Sequence, residues 1–181
     1  MKKNLTYPFL GVFILLFLGA CVKDTDFNNL DEIQLTPVVE LDLIYFNLSA
    51  QDFFDENTSN PILTVRDTTA IRFLDDSQIQ ESLKRADFYF RFTNFIPREF
   101  IADFQFLSES NDTTYTTQTL VTQGSPQAPV VTEFEQVVEG DDVLLLTQAS
   151  KVVVSVTIPS SDATLEGDLN LKSKTTYYLE L

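Results

Sequence analysis

The chain has 181 residues, 44% apolar and 22% charged, which is the balance of a globular protein and not of a disordered one. It contains no His, no Trp and a single Cys, Cys21; this excludes Ser-His-Asp and Cys-His catalysis, His-ligated zinc, haem held by His or Cys, and any intramolecular disulfide. With 12 basic against 27 acidic residues and a formal charge of −15, the chain lacks the basic excess that displaces counterions from phosphates, so no nucleic-acid partner is expected.

Lys2 and Lys3 precede an apolar run from Phe9 to Leu18. That run is about half the ~20 residues a bilayer-spanning helix needs, and it reads as a secretory signal. It ends in Leu18-Gly19-Ala20-Cys21. This ending resembles the lipobox of bacterial lipoproteins, and the resemblance implies cleavage before Cys21 and a diacylglycerol, with palmitate-like chains, on its thiol. Val22 stands where enterobacterial lipoproteins retained in the inner membrane carry Asp, which implies delivery to the outer membrane. Lys23-Asp24-Thr25-Asp26 resembles the surface-export signal of Bacteroidota lipoproteins, with Thr25 interrupting the acids, and implies surface exposure over the periplasmic leaflet. The resemblance covers residues 1–26 only. It implies a signal peptide over 1–20 and the membrane as a partner through the N-terminal lipid; the following residues show no sustained period, so 21–35 read as a lipidated tether and 36–181 as the folded domain. Loss of Lys2 and Lys3 with the leader leaves 10 basic and 27 acidic residues, a net charge of −17.

Beyond Pro37 the hydrophobic pattern has the period of strands. In residues 38–46, Val39, Leu41, Leu43 and Tyr45 form one apolar face and Glu40 and Asp42 the other. Residues 62–74 keep one parity through Leu63, Val65, Thr69, Ile71 and Phe73, so one interrupted strand is expected; a hairpin at Asp67-Thr68 would put Leu63 and Arg72 on one face. A short helix follows, with Asp75 as N-cap, Gln78 completing a capping box, Leu74 and Ile79 as staple, and Lys84 and Arg85 at its end. Residues 87–95 and 100–107 are Phe-rich strands. Their alternation assigns Phe88, Phe90, Phe92, Phe100, Phe104 and Phe106 to a sandwich core and not to an aromatic platform for sugars.

Strands are further expected over 114–121, 130–138 and 151–158, with one or two closing strands over 169–181. A short helix is expected over 141–149, with Asp141 as cap behind Gly140. Roughly eight strands and one or two short helices, without a βαβ rhythm, give an all-β antiparallel sandwich, immunoglobulin-like in kind.

Little in the sequence carries chemistry. Without imidazole or a free thiol the remaining catalytic device is a carboxylate pair, and none can be singled out among 27 acids, so no enzyme is expected. No basic residue lies between Arg98 and Lys151 while nine carboxylates do, which reads as a solvated acidic face. Asp55, Asn57 and Ser59 have the spacing that opens a calcium loop, but Asn60 replaces its Gly and no Glu closes it, so a turn is expected, with no metal and no cofactor. Asp67-Thr68-Thr69 and Asp112-Thr113-Thr114 resemble the O-glycosylation acceptor of Bacteroidota, with Thr68 and Thr113 as acceptors. Tyr45, Tyr89 and Tyr115 are the tyrosines considered for exposure, and Tyr89 lies opposite a Phe-bearing face. The expected function is a lipid-anchored, non-catalytic binding or structural module with a protein or glycan partner. The alternative is an accessory lipoprotein that captures a ligand or glycan for nutrient uptake.

Overall fold

Alternation in the Phe-rich segments requires strands with one apolar face, and such faces must be covered by another layer. In the computed structural model, which describes residues 35–181, they cover each other. The strands are β1 (Val38–Ser49), β2 (Phe54–Asp55), β3 (Asn60–Pro61), β4 (Thr64–Ala70), β5 (Leu83–Asn94), β6 (Phe100–Leu107), β7 (Thr113–Val121), β8 (Val130–Glu139), β9 (Lys151–Thr157) and β10 (Asp168–Leu179). One four-stranded sheet, sheet I, has the order β1-β10-β5-β8, and the other, sheet II, has β4-β9-β6-β7; β2 and β3 form a separate small ladder. Every pairing is antiparallel. Among the eight long strands, each connection carries the chain to the opposite sheet, except the β6–β7 hairpin. The expected all-β antiparallel sandwich is therefore what forms; its strand order is that of the eight-stranded jelly roll and not the immunoglobulin-like order expected.

Phe88, Phe90 and Phe92 of sheet I and Phe100, Phe104 and Phe106 of sheet II are fully buried. Their rings meet across the interface, with centroids 5.0 Å apart for Phe88 and Phe106, 4.0 Å for Phe90 and Phe104, and 6.5 Å for Phe92 and Phe104. Each such side chain stabilises the fold by about 1.5–3 kcal/mol through burial. These rings are core, as the alternation required.

Strand β1 departs from the sequence reading. Its register slips between Asp42 and Tyr45, so Leu43 and Ile44 are both buried and every side chain beyond them changes face. Tyr45, expected on the apolar face, is 82% exposed, while Phe46 packs against the core. Ser173 of β10 accommodates the bulge: Ile44 N–H donates to its Oγ at 3.0 Å and that hydroxyl donates to Ile44 C=O at 2.6 Å.

Residues 64–70 run as one strand, but the chain turns into a 3₁₀ segment at Arg72–Asp75 instead of staying extended to Leu74. Helix α1 (Ser77–Ser82) is capped by Asp76 and not Asp75, with the Asp76 side chain accepting from Gln78 N and Ile79 N. Lys84 and Arg85 belong to β5 and not to the helix, because Leu83 and Arg85 find ladder partners on β10, with Lys84 at the register shift between them. Helix α2 (Asp141–Leu146) forms, but its N-cap is Gly140 at φ 63°, with no side-chain cap, and Asp141 is the first helical residue. Residues 168–179 make a single closing strand. Leu35 and Leu181 exchange backbone hydrogen bonds of 3.2 and 2.8 Å beside it.

One buried polar side chain ties two loops, β5–β6 and β7–β8, together. Asn94, fully buried at the end of β5, donates through Nδ2 to Arg98 C=O (2.8 Å) and Thr122 C=O (2.9 Å) and accepts from Ile96 N–H (2.8 Å). The neighbouring chain is so close that a Cβ on Gly124 would lie 1.8 Å from Asn94 O. Asn94→Ala orphans a donor and two acceptors, each costing about 1–3 kcal/mol when buried. Urea unfolding should show a loss of about 3 kcal/mol or more, and a loss below about 0.5 kcal/mol would mean that these loops are not held through Asn94.

Candidate functional site

Strand alternation that buries the Phe rows turns a second set of side chains outward on sheet I, and antiparallel register lines them up in rows. From β1 across β10 and β5 to β8, one row reads Val38, Tyr178, Arg85, Glu139. Two rows on, Asp42, Lys174, Tyr89 and Glu135 stand together, followed by Tyr45, Lys172, Arg91 and Glu133. Asn47, Asn170, Thr93 and Val131 come next. The face gathers Tyr45, Tyr89 and Tyr178, three of the chain's six tyrosines, with Arg85, Arg91, Lys172 and Lys174 on its two central strands.

Most of the charges are committed to one another. Arg85 donates to both carboxylate oxygens of Asp87, at 2.6 and 2.8 Å, and its guanidinium lies 5.3 Å from the centre of the Tyr178 ring. Lys174 donates to Glu40 at 2.7 Å and sits 6.0 Å from the Tyr89 ring centre. The Tyr89 hydroxyl donates to Glu133 Oε1 at 2.7 Å, and Arg91 Nε stands 3.7 Å from that same oxygen. The bond to Asp87 raises the Arg85 pKa. The carboxylates of Glu133 and Asp87, by accepting from the phenols, raise the pKa values of Tyr89 and Tyr178 above the ordinary 10.0.

Two hollows open on this sheet. One, of about 450 Å³, lies over Arg85, Tyr89, Glu135 and Val137. The other, of about 490 Å³, follows the bulge between Tyr45, Asn47, Asn170 and Lys172. A groove of about 490 Å³ lies elsewhere, between α1 and α2, edged by the exposed Leu144. Among the described residues no three or more His, Cys, Asp or Glu side chains come together as a metal-binding group.

The residues singled out from sequence are scattered. Cys21 lies outside the described residues. Asp55 spends its carboxylate on its own turn, accepting from Asn57 N at 2.9 Å and from Thr58 Oγ1 at 2.8 Å, which lowers its pKa. Ser59 follows at φ 55°. Thr68 is exposed in the middle of β4, opposite Val153 on sheet II, and Thr113 is exposed as the first residue of β7. Tyr115 is half-buried with its ring 5.8 Å from Phe106, and burial raises its pKa. Sequence reasoning missed Lys172, Lys174, Arg91 and Tyr178. Their alternation with Leu171, Ser173, Thr175 and Tyr177 was legible, but the adjacency of β10 to both β1 and β5 was not.

The fold and this face define an eight-stranded jelly-roll domain with a polar, tyrosine-bearing outer sheet. Neither a protein-family model nor a curated protein matches the chain. Among solved structures it is similar to a chain of infectious bursal disease virus strain Gx, at 10% identity and a TM-score of 0.44 over 80% of this chain and 32% of that one. It is also similar to a protein of Parabacteroides distasonis taken to be secreted, at 15% identity and 0.43 over 63% and 38%. A tailspike domain of bacteriophage CBA120 aligns at 11% identity and 0.38, over 81% and 19%. The chain thus spans about a third of the length of the first of these, and at this depth nothing about ligand or activity passes to it.

Glu133→Gln should bring the Tyr89 phenol back toward its ordinary titration, read as the alkaline absorbance change that Tyr89→Phe abolishes. An unchanged Tyr89 titration would show that Glu133 does not hold the hydroxyl.

Proposed function

We propose that the protein is a lipid-anchored, non-catalytic binding module of the outer membrane, displayed at the cell surface, that engages a macromolecular partner through the outer face of sheet I. The observation that carries this reading is the concentration of tyrosines and cations on one open face of a strongly acidic chain. Binding surfaces are enriched in such amphipathic rings and guanidinium groups. Three carboxylates of that face support a non-catalytic role: Asp87, Glu40 and Glu133 each accept from a cation or a phenol on the same sheet, which leaves these three poorly placed to divide acid and base roles on a substrate. The hollow beside Tyr45 favours the second reading, in which the same protein captures a ligand for an adjacent uptake system.

The anchoring half of the reading is tested in cells. Cys21→Ser should leave an unprocessed or soluble product, and protease added to whole cells should remove the wild type. A Cys21→Ser protein found in membranes at the mature mass, or complete protection in intact cells, would reject anchoring or display respectively. The functional half is tested by electrophoresis of the full-length protein through polysaccharide-containing gels, with the polymer assayed for new chain ends. Retardation without cleavage is expected. Cleavage lost on replacing one or two carboxylates would make the protein an enzyme, and saturable uptake of one small nutrient into the hollow would favour the second reading.

A further inference from the structure

The cations of sheet I are not equivalent. Arg85 and Lys174 are each neutralised by a carboxylate at 2.6 to 2.7 Å. Among the described residues the one carboxylate paired with Arg91 is Glu133, at 3.7 Å through an oxygen that already accepts from Tyr89. Lys172 is exposed, and among the described residues no carboxylate lies within ion-pair distance of it. Lys172 and Arg91 are direct cross-strand partners. Lys172 and Arg91 thus form an adjacent pair of cations with one carboxylate, Glu133, in their own row.

Their surroundings specify what kind of anion. On one side of Lys172, in register with it, is Tyr45, whose ring is 82% exposed because the bulge turns it outward. In the next row Asn47, Asn170 and Thr93 present short amides and a hydroxyl, and the hollow of about 490 Å³ runs between Tyr45 and Lys172. An exposed phenol ring stacks on the C–H face of a pyranose, amides and hydroxyls read its hydroxyl groups, and paired cations hold its carboxylate. Neighbouring strands are ~4.8 Å apart, about the length of one pyranose ring. Tyr45, Lys172 and Arg91 therefore step across the sheet at the repeat of a sugar chain lying perpendicular to the strands. An extended peptide would instead add to the free edge of β1, where the bulge at Leu43 and Ile44 breaks the ladder. Charges beyond ~8–10 Å are largely screened at physiological ionic strength, so the acids that act against a bound carboxylate are Glu133 in the same row and Asp42 and Glu135 in the next.

We infer that the Tyr45–Lys172–Arg91 row binds a carboxylated glycan, a uronate-bearing chain, with Tyr45 as the stacking platform and Lys172 and Arg91 as the carboxylate clamp. This rests on the binding-module reading above and names its ligand class and its residues.

Full-length protein in detergent is titrated calorimetrically with oligogalacturonate, with the same oligomer after methyl esterification, and with polyglutamate. Wild type should bind the free acid at least tenfold more tightly than the ester or polyglutamate. Lys172→Ala and Tyr45→Ala should each weaken binding tenfold or more. Lys151→Ala, on sheet II, should leave it unchanged. Lys172 and Tyr45 are exposed, so their variants should unfold at the wild-type temperature; if either does not, Arg91→Gln replaces it. No binding of the free acid overturns the inference, as does equal affinity for the ester or for polyglutamate. Binding that survives Lys172→Ala rejects this row while leaving the binding-module reading standing, whereas cleavage of the oligomer rejects that reading itself.

Discussion

The contact between the Phe88, Phe90 and Phe92 rings of one sheet and the Phe104 and Phe106 rings of the other is the interaction on which the rest of this molecule depends. Neither sheet is stable with that face in water. Replacing one such ring by Ala in a packed core costs about 3–5 kcal/mol, a large part of the 5–15 kcal/mol by which domains of this size are stable. The seam also fixes parity: once the even-numbered residues of β5 point inward, Arg85, Asp87, Tyr89 and Arg91 must point outward, and a one-residue slip would bury them. The composition of the outer face is thus set by the requirement to close the core.

The β1 bulge is the exception that adds Tyr45 to Tyr89 and Tyr178 on this face. Without the extra residue, Tyr45 would follow Leu43 inward; with it, Leu43 and Ile44 share the core and Tyr45 stands beside Lys172. The cost of the bulge is an interrupted ladder, offset by the Ser173 hydroxyl, which bonds both backbone groups of Ile44. The same bulge breaks the edge of sheet I, where an uninterrupted strand would invite pairing with another chain. One local insertion therefore presents a ring and protects an edge.

The sequence was informative where physics is local. Period-two alternation located the long strands of both sheets and correctly assigned the Phe rows to the core, and the Gly140 region correctly announced a short helix. It misplaced the cap of α1 by one residue, since Asp75 and Asp76 are chemically alike and only the 3₁₀ turn at Arg72–Asp75 makes Asp76 the residue that meets Gln78 N. It put Tyr45 on the wrong face because a bulge has no signature in side-chain pattern alone. The candidate site was almost wholly hidden: Lys172, Arg91 and Tyr45 lie on β10, β5 and β1, and their meeting depends on the jelly-roll order, which is set by non-local packing.

The outer face of sheet I, held in place by the Phe seam, is the surface proposed to meet the partner. The most direct measurement is a map of backbone amide chemical shifts in the full-length protein at saturation with a uronate oligomer. The account predicts changes confined to the rows containing Tyr45, Lys172, Arg91 and Thr93, with the Phe seam unaffected. Changes clustered instead on the outer face of sheet II around Ile101 and Leu120, or in the groove beside Leu144, would contradict it.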